Sequence, residues 1–164
     1  MKKIEIDFEI ERDKLPCTPE MFKFLLDHID ENRELANIMF DTMFENEMKD
    51  IEQWNRVTFK NATKAGQLMK LEEEMLEAAE ASEGDTKHFI EEQADVWIVL
   101  AGLRRFNSLI GHALEISLKK NTLSNPETKI AMLGAILRKM DINKSRKWGK
   151  PVNGLYKHAI NKKN

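Results

Sequence analysis

An all-α fold is predicted by three observations. Long stretches repeat apolar residues at the helical period, only seven glycines and four prolines occur in 164 residues, and clear helix starts punctuate the chain. A composition of 41% hydrophobic and 33% charged residues suits one globular domain with a sizeable core. The expected organisation is an N-terminal arm over 1–17, a single helical domain over 18–158 and a basic tail over 159–164.

The arm is the exception to helical patterning. Lys3-Ile4-Glu5-Ile6-Asp7-Phe8-Glu9-Ile10-Glu11 alternates apolar and polar residues strictly, which is strand periodicity. A lone strand needs a partner, either an irregular segment of its own chain or another subunit. Thr18-Pro19-Glu20 then supplies a capping hydroxyl and a first-turn proline for a helix running from Pro19 to about Glu31. A second helix is expected from about Asn32, carrying Leu35, Ile38, Met39, Met43, Met48, Ile51 and Trp54, until Asn61-Ala62-Thr63 loosens the pattern. Its methionines suit either a core or an adaptable apolar surface.

The next two helices form an expected antiparallel hairpin around the turn Ser82-Glu83-Gly84-Asp85. The first carries a core stripe of Leu68, Leu71, Met75 and Ala79, and the second one of Phe89, Val96, Val99, Leu100, Leu103 and Phe106. Ser108 to about Lys120 reads as a weaker helix. Asn125-Pro126-Glu127 opens the last one, with Ile130, Leu133, Ile136, Leu137 and Met140 on its apolar face. About five or six helices around a shared core result.

Acids sit where this hairpin should be greasy. Glu92 falls inside the second stripe, Asp95 lies at its edge, and Glu74 and Glu77 share a flank of the preceding helix. Ionised carboxylates near an apolar interface require a counter-charge or a metal. Four all-oxygen ligands point to Mg²⁺, with Mn²⁺ as a substitute, rather than to zinc or copper. A solvated acidic face is the plainer reading of either pair alone, and it is the conjunction on successive helices that favours a metal cage.

Basic residues gather where the last helix runs out. Lys139, Asn143 and Arg146 recur at helical spacing, with Lys144 beside them, a set suited to gripping phosphate oxygens. Trp148-Gly149-Lys150-Pro151 reads as an ordered turn, whereas Lys157, Lys162 and Lys163 read as solvated tail. An acidic cage with a phosphate clamp suggests a nucleotide polyphosphate. The net charge of −2 gives no global attraction to nucleic acid or to an anionic membrane. No secretory or membrane-spanning stretch follows Met1, and the single Cys17, with no basic partner adjoining it, reads as a bystander in a reducing, cytoplasmic setting.

These motifs resemble the MazG-like, all-α nucleoside triphosphate pyrophosphohydrolases. The family's Glu-x-x-Glu and Glu-x-x-Asp stand here as Glu74-Met75-Leu76-Glu77 and Glu92-Gln93-Ala94-Asp95, and residues 139–148 are similar to the downstream element of phage and bacterial dATP/dGTP-type members. The likeness runs from about Trp54 to His158, and the strand-like arm is a departure from it. It implies a helical bundle built on the acidic hairpin, hydrolysing a deoxynucleoside triphosphate, most plausibly a purine one, to monophosphate and pyrophosphate. It further implies Mg²⁺ on Glu74, Glu77, Glu92 and Asp95, Glu74 or secondarily Glu73 as general base, and Lys139, Asn143, Lys144 and Arg146 on the phosphates.

For the base and sugar, the resemblance points to Trp54, Asn55 and Phe59, with Lys70 and Trp148 beside them, although aromatics at this spacing also serve a core. Trp97 suits either a subunit contact or a pocket wall, and His88 and His112 lack metal-ligand spacing. Family members assemble as dimers or tetramers, so a homodimer or homotetramer is the expected state. Two other classes remain open. One is a non-catalytic helical module that binds a cation or nucleic acid, and the other a housekeeping hydrolase of damaged nucleotides.

Overall fold

The computed structural model describes residues 18–159, and the strand-like pattern of the arm, Cys17 and the last five residues lie outside that range. Six helices pack as a bundle: α1 (Pro19–Asp27), α2 (Arg33–Thr58), α3 (Lys64–Ala81), α4 (Thr86–Arg104), α5 (Leu109–Thr122) and α6 (Pro126–Ser145). No helix among the described residues is long and apolar enough to cross a membrane.

Local chemistry sets the helix ends. Thr18, Thr63, Asp85, Ser108 and Asn125 each place a side-chain oxygen on a first-turn amide, and Asn125 and Thr128 form a reciprocal capping box. α1 stops at Asp27, a turn earlier than its periodicity suggests, because His28 leaves the helical region and caps the end through Phe24.

α4 is the hub of the bundle. From Ala94 to Leu103, all but Asp95 are buried, so α4 packs against α3 on one side and against α2 and α6 on others. Trp97 is fully buried and meets Phe44 of α2 edge to face at 5.0 Å between ring centroids. Trp97 is therefore a core residue of the bundle rather than an exposed contact. Met39, Met43 and Met48 are buried as well, which assigns them to the core.

The buried face of α3 differs from the expected stripe. It runs through Gln67, Leu71, Glu74, Ala78 and Ala81, while Met75 is 42% exposed. Small residues at 78 and 81 let α3 lie close along α4, whereas a stripe centred on the bulky Met75 would hold the helices apart. Glu74 is thereby inside the interface rather than bordering it. In α2, Leu35 and Ile38 are similarly exposed and Ala36 and Phe40 are buried in their place. α1 and the turn after it close one end through Phe22, Leu25 and Ile29, packed with Ala36, Phe40 and the α6 residues Ile130 and Leu133.

After α6 the chain turns back over the bundle. Single antiparallel bridges join Trp148 to His158 and Val152 to Leu155, across a two-residue turn of Asn153 (φ 53°) and Gly154 (φ 76°). Positive φ at both turn positions favours an Asn-Gly pair. The Gly154 carbonyl accepts from the Thr63 amide at 3.2 Å, and a Cβ on Gly66 would stand 2.4 Å from that oxygen. The absence of a side chain at Gly66 is what lets this hairpin sit on the start of α3.

Candidate functional site

One cleft of about 480 Å³ gathers residues from α2, α3, α4, α6 and the C-terminal hairpin. Its acidic wall comes from the α3–α4 pair. One oxygen from each of Glu74, Glu77 and Glu92 lies within 4.8 Å of the others. Oxygen ligands about 2.1 Å from a shared Mg²⁺ are at most about 4.2 Å apart, so the carboxylates would draw in by roughly half an ångström. The donor set is hard, anionic and nearly in place, and it fits Mg²⁺ or Mn²⁺.

Cations hold part of this charge. Lys70 Nζ contacts Glu74 at 2.5 Å and Glu73 at 3.1 Å, and Lys139 Nζ donates to Asp95 at 2.6 Å. Asp95 is thus turned toward α6 and is not part of the three-carboxylate cluster. Among the described residues, neither Glu77 nor Glu92 is paired with a lysine or arginine, and His88 Nδ1 stands 3.5 Å from Glu92.

The protonation equilibria follow from crowding. Burial pushes the Glu74 carboxyl above its ordinary range, Lys70 offsets this only in part, and Asp95 and Glu73 add to the rise. Glu77 is raised by burial and then by the charge of Glu74. Asp95 is raised by burial despite Lys139, with Glu92 contributing. Burial works against the charges on Lys70 and Lys139, but their carboxylate partners outweigh it and both hold their protons more firmly.

Another part of the lining is basic and polar. Lys139, Asn143 and Arg146 line it from the end of α6, and Arg146 Nη1 donates to Asn143 Oδ1 at 3.1 Å. Lys144 is exposed on the last turn of α6 and does not line the cleft. Lys157, read from sequence as solvated tail, does line it, together with Leu155, Tyr156 and His158. The Asn153-Gly154 turn was the sequence signal for that hairpin, because it folds 155–158 back toward Trp148.

At the remaining end, Trp54, Asn55, Phe59, Gln67 and Trp148 meet. Phe59 is 6% exposed, with its ring packed among Trp54, Trp148 and Tyr156 at centroid distances of 4.8–5.1 Å. It supports the aromatic wall from behind, while Trp54, Trp148 and Tyr156 are half-buried. Arg105 fixes this end by donating to the carbonyls of Asn55, Phe59 and Ala62. Trp148 Nε1 donates to the Asn143 carbonyl at 3.2 Å, tying the aromatic wall to the basic one.

No family model, curated protein or solved structure matches the chain.

Proposed function

We propose that the chain is a metal-dependent nucleoside triphosphate pyrophosphohydrolase, acting on a (deoxy)nucleoside triphosphate, with a purine dNTP the favoured substrate. The observation that carries this reading is the convergence of three kinds of side chain on one cleft. Three clustered carboxylates, the basic and polar Lys139, Asn143 and Arg146, and the aromatic Trp54 and Trp148 all line it. That set fits a triphosphate held by carboxylate-bound cations and basic side chains, with its base against the aromatic rings. The resemblance of residues 74–77, 92–95 and 139–148 to MazG-like enzymes supports the same reaction class.

Glu74, Glu77 and Glu92, with Asp95 if it leaves Lys139, would hold Mg²⁺. The ion supplies charge neutralisation and electrophilic activation at the phosphorus. Glu74 takes the proton of the attacking water, a role favoured by its place at the carboxylate cluster. Lys70 fixes the Glu74 carboxylate and tempers its basicity. Lys139, Arg146 and Lys157 are placed to meet the negative charge that builds on leaving pyrophosphate, and Asn143 orients Arg146. The proposed active form is a homodimer or homotetramer.

Pyrophosphate release from a panel of NTPs and dNTPs with Mg²⁺ tests the reading. Turnover of one or a few substrates, cut about 100-fold or more by Glu92→Gln without loss of fold, is the expected result. A folded, stable chain inert toward the whole panel would overturn it and favour a binding module.

A further inference from the structure

We propose that the cavity between α3, α4 and α5 is a second ligand site, and that it takes a small, neutral, largely apolar molecule bearing a hydrogen-bond acceptor. The cavity has a volume of about 290 Å³, close to the lower end of the usual range for small-molecule sites. It shares no lining residue with the cleft, although α3 and α4 contribute to both. Ala78, Val96 and Trp97 are buried and form its floor, whereas the exposed Ala79 and Ser82 stand at its mouth.

Trp97 decides the chemistry. It is fully buried, it lines the cavity, and its Nε1 has no hydrogen-bond partner. An indole N–H can only donate, and leaving it unmet in the interior is costly. Phenylalanine at this position could meet Phe44 edge to face as the indole does, without burying a donor. The indole is therefore explained by an acceptor that a bound molecule brings. No charged side chain lines the cavity among the described residues, so a carboxylate or phosphate would lie there without a counter-ion. Apart from Ser82 and Gln93 the lining is apolar, which suits a hydrocarbon body. An apolar partner helix fits less well, because its carbonyls are bonded within the helix except in the last turn and would leave the indole unmet. A ketone, ester or ether oxygen on a small apolar frame satisfies all of these conditions.

Proton–nitrogen correlation spectra of the indole groups of the full chain test this, titrated with benzylacetone and, as the probe without an acceptor, n-butylbenzene. The Trp97 signal is assigned by its loss in Trp97→Phe, against Trp54 and Trp148. Benzylacetone is expected to move the Trp97 indole proton downfield in a saturable way, and n-butylbenzene, which carries the same ring, to bind without that shift. By ligand-observed NMR, Trp97→Phe should weaken benzylacetone about fivefold and n-butylbenzene less. Ala79→Met, at an exposed position, should cover the mouth and weaken both probes at least about tenfold with the melting temperature kept. Mg²⁺ with pyrophosphate should displace neither. No saturable binding of either probe by folded wild-type protein, binding that Ala79→Met leaves unchanged, or a Trp97 proton indifferent to benzylacetone would overturn the proposal. Probe binding that appears only on dilution of the protein would assign the cavity to a second copy of the chain and overturn it as well.

Discussion

Arg104, at the end of α4, joins three helices through its charge: it donates to both oxygens of Glu45 in α2, at 2.8 and 3.1 Å, and to the buried Glu115 in α5. Burial alone would raise the Glu115 pKa, but Arg104 and Lys119 outweigh it and hold the carboxyl below its ordinary value of 4.5. The native state therefore binds fewer protons at this site than the unfolded chain does. The resulting stability is present above pH 4.5 and is lost as pH falls through the lower folded value. Glu115→Gln is expected to cost about 1–3 kcal/mol near neutrality and to flatten the acid side of the melting-temperature profile, as read by thermal denaturation from pH 3 to 7. The Lys139–Asp95 pair has a different consequence, because Lys139 and a divalent cation compete for one carboxylate. Lys139→Met should tighten Mg²⁺ binding by calorimetry while lowering kcat/KM for triphosphate, since the phosphate contact is lost with the competitor. At this scale the sequence was informative about which acids gather at the α3–α4 interface, because carboxylates inside an apolar stripe are conspicuous. It was silent on their pairing, since Asp95 and Lys139 are brought together by the docking of α6 on α4, a contact that no local spacing encodes.

The helices were readable to within a turn wherever a cap and a period agreed. α6 begins at its Asn125-Pro126 signal and α5 at Ser108, whereas the face of α3 was misplaced because large residues were weighed above small ones. Close helix packing is set by the small residues, and it is this rotation that buries Glu74. The C-terminal hairpin was not foreseen, although Asn153-Gly154 encodes it, because one turn with single bridges gives no repeating pattern. Its attachment to α3 supplies a test. Gly154 has φ 76°, and a Cβ there would come within 2.2 Å of Thr63 Oγ1. Gly154→Ala should therefore cost about 1–3 kcal/mol of hairpin stability and loosen Tyr156, Lys157 and His158 from the cleft. Hydrogen exchange at the Leu155 and Val152 amides, which bond across the turn at 3.0 and 2.9 Å, should accelerate while α4 amides stay protected.

As a whole, the bundle gathers most of the candidate site residues in one cleft and leaves apolar side chains outside it. Leu109, Ile110 and Ile116 of α5 are 81%, 64% and 56% exposed, and Met69 and Leu76 of α3 are also exposed. Sedimentation velocity is expected to show a dimer or tetramer, and a monomer at all concentrations would remove self-association as the reason for these residues. The metal reading has an equally global readout. Mg²⁺ that binds the native carboxylates should raise the melting temperature in a concentration-dependent way, and Glu77→Gln should blunt that rise. The central claim concerns the bond that is broken. ³¹P NMR of a dNTP incubated with the full chain and Mg²⁺ tests it most directly. The expected spectrum shows deoxynucleoside monophosphate and pyrophosphate appearing together at the expense of triphosphate. Diphosphate with orthophosphate, or unchanged triphosphate beside folded protein across the dNTP and NTP panel, would contradict it.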